Sequence, residues 1–312
     1  MQKILLIGAG YMALEYAKVL KALNLPFIAI CRTKESADKF SAKTSHKAYW
    51  GGVEKFLNNT DIKFKIAIVA SNADSLKAAT EVLVKYGIKK ILVEKPAGIN
   101  KDEIESLYFS VKDNRVELYV GYNRRFYQSV LKGKHIIDKD GGAISANFEF
   151  TEWPHIIEKH NKSLIEKKNW FLLNSSHVVD LAFFMIGKPK TMNSITSGMI
   201  DWHKPAVYAG CGETENATLF TYHANWLSAG RWGLEILTPK RKLIYRPLEK
   251  LKVQNKGTIT VEDYDNIEYD LDLKYKPGLY VQVESFIGKN VKYLKSIKEQ
   301  YDDLKFYEKI NN

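Results

Sequence analysis

The first part of the chain alternates short apolar runs with longer segments in which apolar residues recur every three to four positions. Short apolar runs are typical of buried strands, and the longer recurrence is typical of helices with one buried face. The predicted elements are strand 3–7, helix 11–23, strand 27–31, strand 66–70, helix 75–86, strand 91–94, helix 101–112 and strand 118–121. Strands and helices that alternate in this way predict an α/β domain with a doubly wound parallel sheet.

The pattern changes after residue 122. In residues 144–151, apolar side chains occupy every second position, which predicts a strand with one buried face. A helix is predicted near 176–186, and a lysine-rich helix from Val283 onward. Further alternating runs lie at 218–225, 233–237 and 258–264. We therefore predict a second domain, of the α+β class, with a large, mostly antiparallel open sheet.

The length of 312 residues is sufficient for two domains of similar size. We place the boundary where the pattern changes, which gives a first domain of residues 1–122 and a second of residues 123–312. The composition agrees with two packed cores, since 45% of the residues are hydrophobic and 12% are aromatic.

The formal net charge of +11 raises the question of a polyanionic partner. However, the lysines are spread along the chain, and no dense basic cluster is joined to aromatic residues that would stack on bases. We expect no nucleic-acid partner. We expect the positive charge to attract small phosphorylated ligands instead.

No apolar run approaches the roughly 20 residues that span a bilayer, and the N-terminus lacks the pattern of a signal peptide. The two cysteines, Cys31 and Cys211, suggest neither a disulfide framework nor a metal site. We therefore expect a cytoplasmic protein with no membrane partner. No metal is expected, because His155 and His160 form no recognised ligand set with nearby cysteines or carboxylates.

The turn between the first predicted strand and helix has the sequence Gly8-Ala9-Gly10-Tyr11-Met12-Ala13. In this context Gly8 makes a tight turn, Gly10 lets the backbone approach a pyrophosphate, and Ala13 allows the helix to pack closely on the strand. A diphosphate would lie on the free N–H groups at the start of the helix, including those of Tyr11 and Met12. This pattern predicts a dinucleotide-binding Rossmann domain; the alternative is a glycine turn that only reverses the chain.

The second predicted strand ends in Cys31-Arg32-Thr33-Lys34, where an NAD-binding domain usually has a carboxylate for the ribose 2′-hydroxyl. Arg32 would pair with a 2′-phosphate, and Thr33 and Lys34 would add donors. We predict a preference for NADP(H), with NAD possible; the alternative is an ordinary exposed basic loop. After the third strand, Ser71 and Asn72 are assigned weak cofactor contact.

Three further segments carry a family resemblance. They are Glu94-Lys95-Pro96, Gly121-Tyr122-Asn123-Arg124-Arg125-Phe126 and His177-Val178-Val179-Asp180. Together with the glycine turn, and in this order and spacing, they resemble the glucose-fructose oxidoreductase / inositol dehydrogenase / rhizopine-catabolism (Gfo/Idh/MocA) family.

The resemblance implies a Rossmann domain followed by a substrate-binding α/β domain whose open sheet often forms a dimer interface, hence a homodimer or homotetramer. It implies that Lys95 touches both cofactor and sugar substrate, next to Glu94 at the cofactor. His177 would take the hydroxyl proton during oxidation or return it during reduction. Asp180, three residues further on, would orient the imidazole or cap the helix.

The residues give these roles partial support of their own. Lys95 follows a parallel strand, at the sheet edge where ligands bind in α/β domains. His177 follows Asn174-Ser175-Ser176, which are good N-cap residues, so it should begin a helix whose N-terminus disfavours the charged imidazolium. The alternatives are a solvated lysine and a structural histidine.

One position departs from the family pattern. Many members carry an aspartate four residues before the histidine, where this chain has Leu173. Two other functions therefore stay open beside hydride transfer to or from a sugar. One is a nicotinamide-dependent glycosidase-like reaction without net redox change, and the other is a non-catalytic NADP(H)-sensing protein.

The substrate is predicted to be a sugar derivative, possibly a nucleotide-activated one. Residues 276–280 with Gln282 resemble the C-terminal segment of relatives that modify bacterial surface sugars, and the basic balance suits a phosphate. Besides Lys95 and His177, the candidate substrate contacts are Tyr122, Asn123, Arg124, Arg125, Trp153, His155, Asn174, Lys276 and Tyr280. The alternative is that the arginines pin the two domains together and that Trp153 fills a core.

Overall fold

A computed structural model describes residues 3–312 and divides them into two compact units. The first unit comprises the chain up to Asn123 together with Lys274–Asp302. The second comprises Arg124–Leu273 together with Asp303–Asn312. Along residues 3–312, no helix combines the length and the apolar character that crossing a membrane requires.

The first unit begins with alternating strands and helices. They are β1 Ile4–Ile7, α1 Tyr11–Ala22, β2 Phe27–Ile30, α2 Lys34–Thr44, β3 Ala48–Tyr49, α3 Val53–Asn58, β4 Ile66–Val69, α4 Leu76–Lys85, β5 Lys90–Glu94, α5 Lys101–Asp113 and β6 Glu117–Gly121. The strands β6-β5-β4-β1-β2-β3 lie side by side and are all parallel. Every residue of β1 and β2 is buried, as expected for strands covered by helices on both faces.

The second unit holds most of the remaining elements. They are α6 Gln128–Asp140, β7 Ser145–Glu149, α7 Pro154–Ile157, α8 Leu164–Lys168, α9 Ser176–Ile186, β8 Pro189–Ser197, β9 Val207–Thr214, β10 Leu219–Asn225, β11 Gly233–Leu237, β12 Arg241–Tyr245, β13 Lys252–Asn255, β14 Glu262–Asp263 and α10 Asp270–Lys274. The chain then forms α11 Leu279–Ile287, β15 Lys295–Ser296 and α12 Ile297–Asn311.

Strands β7 to β14 form an eight-stranded sheet in the order β14-β13-β12-β11-β7-β10-β9-β8. All neighbours are antiparallel except β7 and β10. Along β10, Phe220 and Tyr222 are buried and alternate with exposed residues. The ring of Phe183 from α9 packs edge-on against Phe220 and Phe148. The predicted fold class is therefore confirmed: a Rossmann-type parallel sheet and a mostly antiparallel open sheet.

The predicted division into two consecutive domains is incomplete. The chain leaves the first unit at residue 123, one residue after the predicted boundary, but residues 274–302 return to it. There β15 pairs antiparallel with β6 and extends the parallel sheet to seven strands. Gln282 of α11 also accepts a hydrogen bond of 3.5 Å from Tyr16 of α1. An antiparallel strand of two residues leaves no periodic signal in the sequence.

Two predicted elements of the second half differ from the structure. The alternating run 258–264 contains only the two-residue strand β14, and Ile259 within it is 95% exposed. The single helix predicted from Val283 onward is two helices, because the chain leaves α11 at Gly288 and forms β15 before α12 begins. Several elements had not been predicted at all: α2, α3, α6, β8, β9, β12 and β13.

Candidate cofactor and substrate sites

The glycine turn after β1 combines one position that requires glycine with one that faces open space. Gly8 has φ +124°, and a Cβ there would lie 2.3 Å from the carbonyl oxygen of Ala70, so only glycine fits. Gly10 has φ −75°, and a Cβ there would meet nothing within 4 Å. The backbone at Gly10 therefore faces open space at the start of α1, where helix N–H groups are available to an anion.

This turn opens into a cleft of about 660 Å³ within the first unit. Six of the predicted cofactor residues line it, namely Gly8, Gly10, Arg32, Thr33, Ser71 and Asn72. Ser71 Oγ is buried, and residues 3–312 offer it no hydrogen-bond partner. A buried hydroxyl without a partner, beside a helix N-terminus and an arginine, fits a polar, anionic ligand such as a dinucleotide.

Lys34 is placed differently from the prediction. Its side chain projects from α2 and pairs with Asp38 at 2.7 Å, and both side chains are well exposed. Within the described chain it does not line the cleft, whereas Ser36 and Lys55 do. Ser36 takes part in the capping box that Thr33 forms at the start of α2.

Two glycines at the end of β3, Gly51 and Gly52, also line the cleft with positive φ. These two glycines, Ser36 and Lys55 are lining residues that were not predicted from the sequence. The adjacent pair Gly51-Gly52 was the one available signal, since it marks a turn. Its link to the cleft depended on β3, which has only two residues.

Glu94 at the end of β5 lies in a polar network rather than along the cleft. Tyr16 Oη donates to Glu94 Oε1 at 2.7 Å. Burial raises the pKa of the Glu94 carboxyl, and the Tyr16 hydrogen bond and the charges of Lys95 and Lys276 oppose that rise. The network fixes the strand end that precedes Lys95, which supports a positioning role for Glu94.

Other predicted substrate residues of the first unit are held by contacts within that unit. Asn123 is buried and its amide donates to the carbonyl of Pro277 at 2.9 Å. Lys295 Nζ lies 4.6 Å from the ring centre of the buried Tyr122. Lys276 lies 5.2 Å from the Tyr11 ring, and the Tyr280 ring is 5.0 Å from that of Tyr275. These contacts explain packing, and substrate contact stays a prediction for all of these residues.

In the second unit, α9 begins at Ser176 as predicted, but it does not have the free, capped N-terminus that was expected there. A π-helical turn, Phe171–Ser175, runs directly into α9, and Ser175 makes no capping hydrogen bond. The Asn174 amide and the Ser175 hydroxyl donate to Glu152 instead. His177 is therefore buried within a continuous helical segment, and the argument from a free helix N-terminus is wrong.

Glu152 is a buried carboxylate that was not predicted as a site residue. It follows β7 and receives hydrogen bonds from Asn174 Nδ2 at 2.9 Å, Ser175 Oγ at 2.8 Å and Arg231 Nη1 at 3.3 Å. Burial raises its pKa, while Ser175, Arg231 and Asn174 oppose the rise. A buried carboxyl that keeps a raised pKa despite such partners marks a candidate functional site.

Arg231 joins this carboxylate to two indole rings. Its guanidinium carbon lies 4.6 Å from the ring centre of Trp153 and 4.6 Å from that of Trp232. Arg124 lies 4.7 Å from the Trp232 ring, and the His177 ring is 6.2 Å from it. We call Arg124, Glu152, Trp153, Arg231 and Trp232 the arginine–tryptophan cluster. Residues 230–232 had not been predicted to take part.

Two cavities of the second unit border this cluster. One, of about 300 Å³, is lined by Glu152, Trp153, Asn174 and Arg231, and the other, of about 710 Å³, by Trp153 and His155 among others. The predicted substrate residues Trp153, His155 and Asn174 thus line open space. Along the described chain, no group of three or more histidine, cysteine, aspartate or glutamate residues is arranged to hold a metal ion.

Arg125 and Asp180 form a buried ion pair of the second unit. Asp180 Oδ1 and Oδ2 receive the Arg125 Nη2 and Nε hydrogen bonds at 2.7 and 2.8 Å. The forked geometry ties α9 to the turn after Asn123. This pairing supports a positioning role for both residues; their predicted parts in substrate binding and catalysis stay predictions.

Comparison with known proteins identifies the family of residues 2–122. Residues 2–122 match the family described as an oxidoreductase family with an NAD-binding Rossmann fold, Gfo/Idh/MocA. The N-terminal domain belongs to the Gfo/Idh/MocA oxidoreductase family. No curated protein matches the chain in sequence.

Solved structures share the fold over nearly the whole chain. A levoglucosan dehydrogenase bound to NADH has a TM-score of 0.78 at 15% identity, covering 99% of this chain and 95% of that one. The WlbA dehydrogenase from Chromobacterium violaceum, bound to NADH and UDP-GlcNAcA, has a TM-score of 0.74 at 14% identity, with 99% and 92% covered. An oxidoreductase from Agrobacterium radiobacter, bound to NAD+, L-tartaric acid and magnesium, has a TM-score of 0.76 at 12% identity, with 98% and 94% covered. At these identities the likeness establishes the fold of both units.

Proposed function

We propose that the protein is an NADP(H)-dependent oxidoreductase that transfers hydride to or from a sugar or sugar derivative. The proposed substrate class includes nucleotide-activated sugars. The observation that carries the proposal is the cleft of the first unit, where a glycine turn, a helix N-terminus, Arg32 and the buried Ser71 hydroxyl converge. Structural neighbours that act on levoglucosan or bind UDP-GlcNAcA support the sugar class.

Different residues of the cleft would bind different parts of the dinucleotide. The N–H groups of residues 10–12 would bind the diphosphate at the start of α1, since negative charge is favoured there. The buried Ser71 hydroxyl, which lines the cleft with Asn72, would hydrogen-bond to the dinucleotide. When bound, the nicotinamide supplies or accepts the hydride.

Arg32 carries the coenzyme preference. It lines the cleft at the end of β2 with Thr33, Ser36 and Lys55, which together offer two positive charges and two hydroxyls. Glu54 is the one carboxylate among the described residues of that lining. A 2′-phosphate would gain charge-assisted hydrogen bonds from Arg32 that a 2′-hydroxyl cannot match. The structural neighbours named above are bound to NAD+ or NADH, so coenzyme preference requires a direct measurement.

We assign the proton transfer to His177, whose imidazole would take the substrate hydroxyl proton during oxidation and return it during reduction. Lys95 follows β5, at the strand edge where α/β domains bind ligands, and its ammonium group would contact cofactor and substrate. Asp180 and Arg125 would hold α9, and therefore the His177 backbone, in place.

The test is a screen of NADPH and NADH oxidation with keto-sugars, and of NADP+ and NAD+ reduction with polyols and nucleotide sugars. We expect turnover with at least one sugar derivative and a higher kcat/KM with the phosphorylated coenzyme. Sugar release without net change in coenzyme would indicate the glycosidase-like reaction instead. Tight NADPH binding with no turnover across the screen would indicate a sensing protein.

A further inference from the structure

The arginine–tryptophan cluster contains more hydrogen-bond donors than partners. Arg124 and Arg231 each carry five N–H donors. Across residues 3–312 the structure shows one hydrogen bond from the two guanidinium groups, that of Arg231 to Glu152. Arg124 Nε is buried with no partner in the described chain, and the same holds for Nε1 of Trp232, which is 7% exposed. Buried donors without partners are rare in proteins and require an explanation.

The backbone that carries Arg231 is held on both sides. Its N–H donates to Glu149 Oε1 at 3.1 Å, and its carbonyl accepts from Arg246 Nη1 at 3.1 Å. Arg246 also pairs with Glu149 at 2.8 Å, and Trp153 Nε1 donates to the carbonyl of Gly230 at 2.7 Å. The register of β11 on β7 explains these contacts, because it places Gly233 opposite Glu149.

The Arg231 side chain is positioned as well. Glu152 holds one edge of the guanidinium, and the rings of Trp153 and Trp232 lie at 4.6 Å from its carbon. Even so, 41% of the side chain is exposed, so part of the fork is open to a ligand. A donor fixed in this way binds at a lower entropic cost than a mobile surface arginine.

The neighbouring cavity has the size and lining of a small-molecule site. Its volume of about 300 Å³ lies at the lower end of the range for ligand pockets. Asn174 Nδ2 donates to both oxygens of Glu152, which leaves the Asn174 amide oxygen as an acceptor toward a hydroxyl. Indole rings beside convergent polar groups suit a sugar ring.

We propose that Arg231 binds an anionic oxygen group, a carboxylate or a phosphate, of the sugar substrate, with the charge of Arg124 on the Trp232 ring strengthening the attraction. This inference rests on the proposed function and specifies its substrate class. The two guanidinium groups carry a charge of +2 against the single carboxylate of Glu152, so the cluster keeps a net positive charge for the ligand. Arginine suits the task because its planar fork matches both anions.

The experiment uses calorimetry to compare the binding of D-glucuronate, D-glucose 6-phosphate and D-glucose to the 312-residue protein saturated with NADP+. We expect the wild-type protein to bind at least one anionic probe more tightly than D-glucose. In Arg231→Met the affinity for that probe should fall about tenfold or more, which corresponds to about 1.4 kcal/mol, while D-glucose binding stays within about twofold. The two anionic probes distinguish a carboxylate from a phosphate.

Lys159→Met is the matched control, because it removes one exposed charge from the segment that follows α7. It should bind all three probes as the wild type does. Arg231→Lys keeps the charge but loses the fork, so it should retain part of the anion affinity, and it carries the test if Arg231→Met does not fold.

Two outcomes overturn the inference: no preference of the wild type for anionic probes, or unchanged anion binding in Arg231→Met. Turnover of uncharged sugars alone, without anion preference, would remove the anion site and leave the oxidoreductase proposal standing. Binding of anionic sugars that depends on Arg231, with no coenzyme turnover on any sugar, would refute the oxidoreductase proposal and leave the anion site standing.

Discussion

The cofactor cleft of the first unit and the arginine–tryptophan cluster of the second are built from different parts of the chain. The cleft depends on backbone: a glycine turn, free N–H groups and positive φ angles. The cluster depends on side chains, with indole rings and a carboxylate holding guanidinium groups. A backbone site is sensitive to an added methyl group, whereas a side-chain site is sensitive to lost charge. The two sites should therefore respond to different substitutions.

The largest loss of activity is expected when either proposed catalytic group, Lys95 of the first unit or His177 of the second, is removed. Lys95→Ala and His177→Ala should each lower kcat by about two or more orders of magnitude, as is typical when a positioned acid or base is lost. NADPH affinity should change little, because the residues that line the cleft and would bind most of the dinucleotide are unaltered. Near-normal turnover of Lys95→Ala at saturating substrate would remove Lys95 from the mechanism.

A matched pair of glycines tests the backbone side of the comparison. In Gly10→Ala the new methyl group meets no protein atom within 4 Å, so the melting temperature should hold while NADPH affinity falls by about ten- to a hundredfold through lost charge-assisted hydrogen bonds. In Gly8→Ala the methyl group meets the Ala70 carbonyl, and stability should fall by about 1 to 3 kcal/mol. Thermal melts and NADPH titrations of both variants separate the two effects. If Gly10→Ala bound NADPH normally, the diphosphate would lie elsewhere.

Within the cofactor cleft, which otherwise depends on backbone, the Arg32 side chain is expected to set the coenzyme preference. Arg32→Asp should lower the ratio of kcat/KM with NADPH to that with NADH by about tenfold or more, because a carboxylate repels the 2′-phosphate and accepts from a 2′-hydroxyl. Lys34→Asp is the control, since Lys34 pairs with Asp38 away from the cleft lining. An unaltered ratio in Arg32→Asp would refute the NADP(H) assignment.

The smallest effect is a change of stability with pH at the cluster. Burial raises the pKa of Glu152 in the folded protein, so above the ordinary carboxyl value of about 4.3 its ionisation destabilises the folded state. The melting temperature of Glu152→Gln relative to wild type should therefore rise from pH 4 to pH 7.

Glu149 supplies a control of opposite sign. Burial acts to raise its pKa, but hydrogen bonds from Thr151 and Arg246 outweigh that and leave the pKa lowered. Ionised Glu149 therefore stabilises the folded protein above the ordinary carboxyl pKa, and this stabilisation is lost as the pH falls through the pKa of Glu149 in the folded state. Relative to wild type, Glu149→Gln should therefore lose stability from pH 4 to pH 7. Parallel curves for the two variants would contradict this account of the cluster.

What could be predicted from the sequence follows the same division. The strands and helices of the Rossmann domain and the glycine turn are contiguous patterns, so β1, α1 and the turn at Gly8 were predicted within about one residue. Glu152 and Arg231 lie 79 positions apart, and no local pattern links them. Their contact depends on the register of β11 on β7, which only the fold supplies.

The same limit explains the errors around His177 and at the C-terminal helix. Asn174 and Ser175 are common N-cap residues, but the buried carboxylate of Glu152 draws their side chains away from the helix. The lysine-rich segment after Val283 has mostly helical composition, in which Gly288 was the one available sign of a break, and β15 is too short to interrupt the pattern. In both places a tertiary contact outweighs the local preference.

The return of residues 274–302 to the first unit bears on the order of events during synthesis. Domains usually fold from the N-terminus as the chain leaves the ribosome. Here the edge of β6 in the nascent Rossmann sheet stays unpaired until the whole inserted segment 124–273 has been translated. Until then Tyr16 also lacks its hydrogen bond to Gln282. An exposed strand edge is a site for mispairing with other chains. A fragment that ends at residue 122 should accordingly aggregate on expression, whereas a fragment that joins residues 1–123 to 274–302 through a short linker should be recovered as a folded monomer.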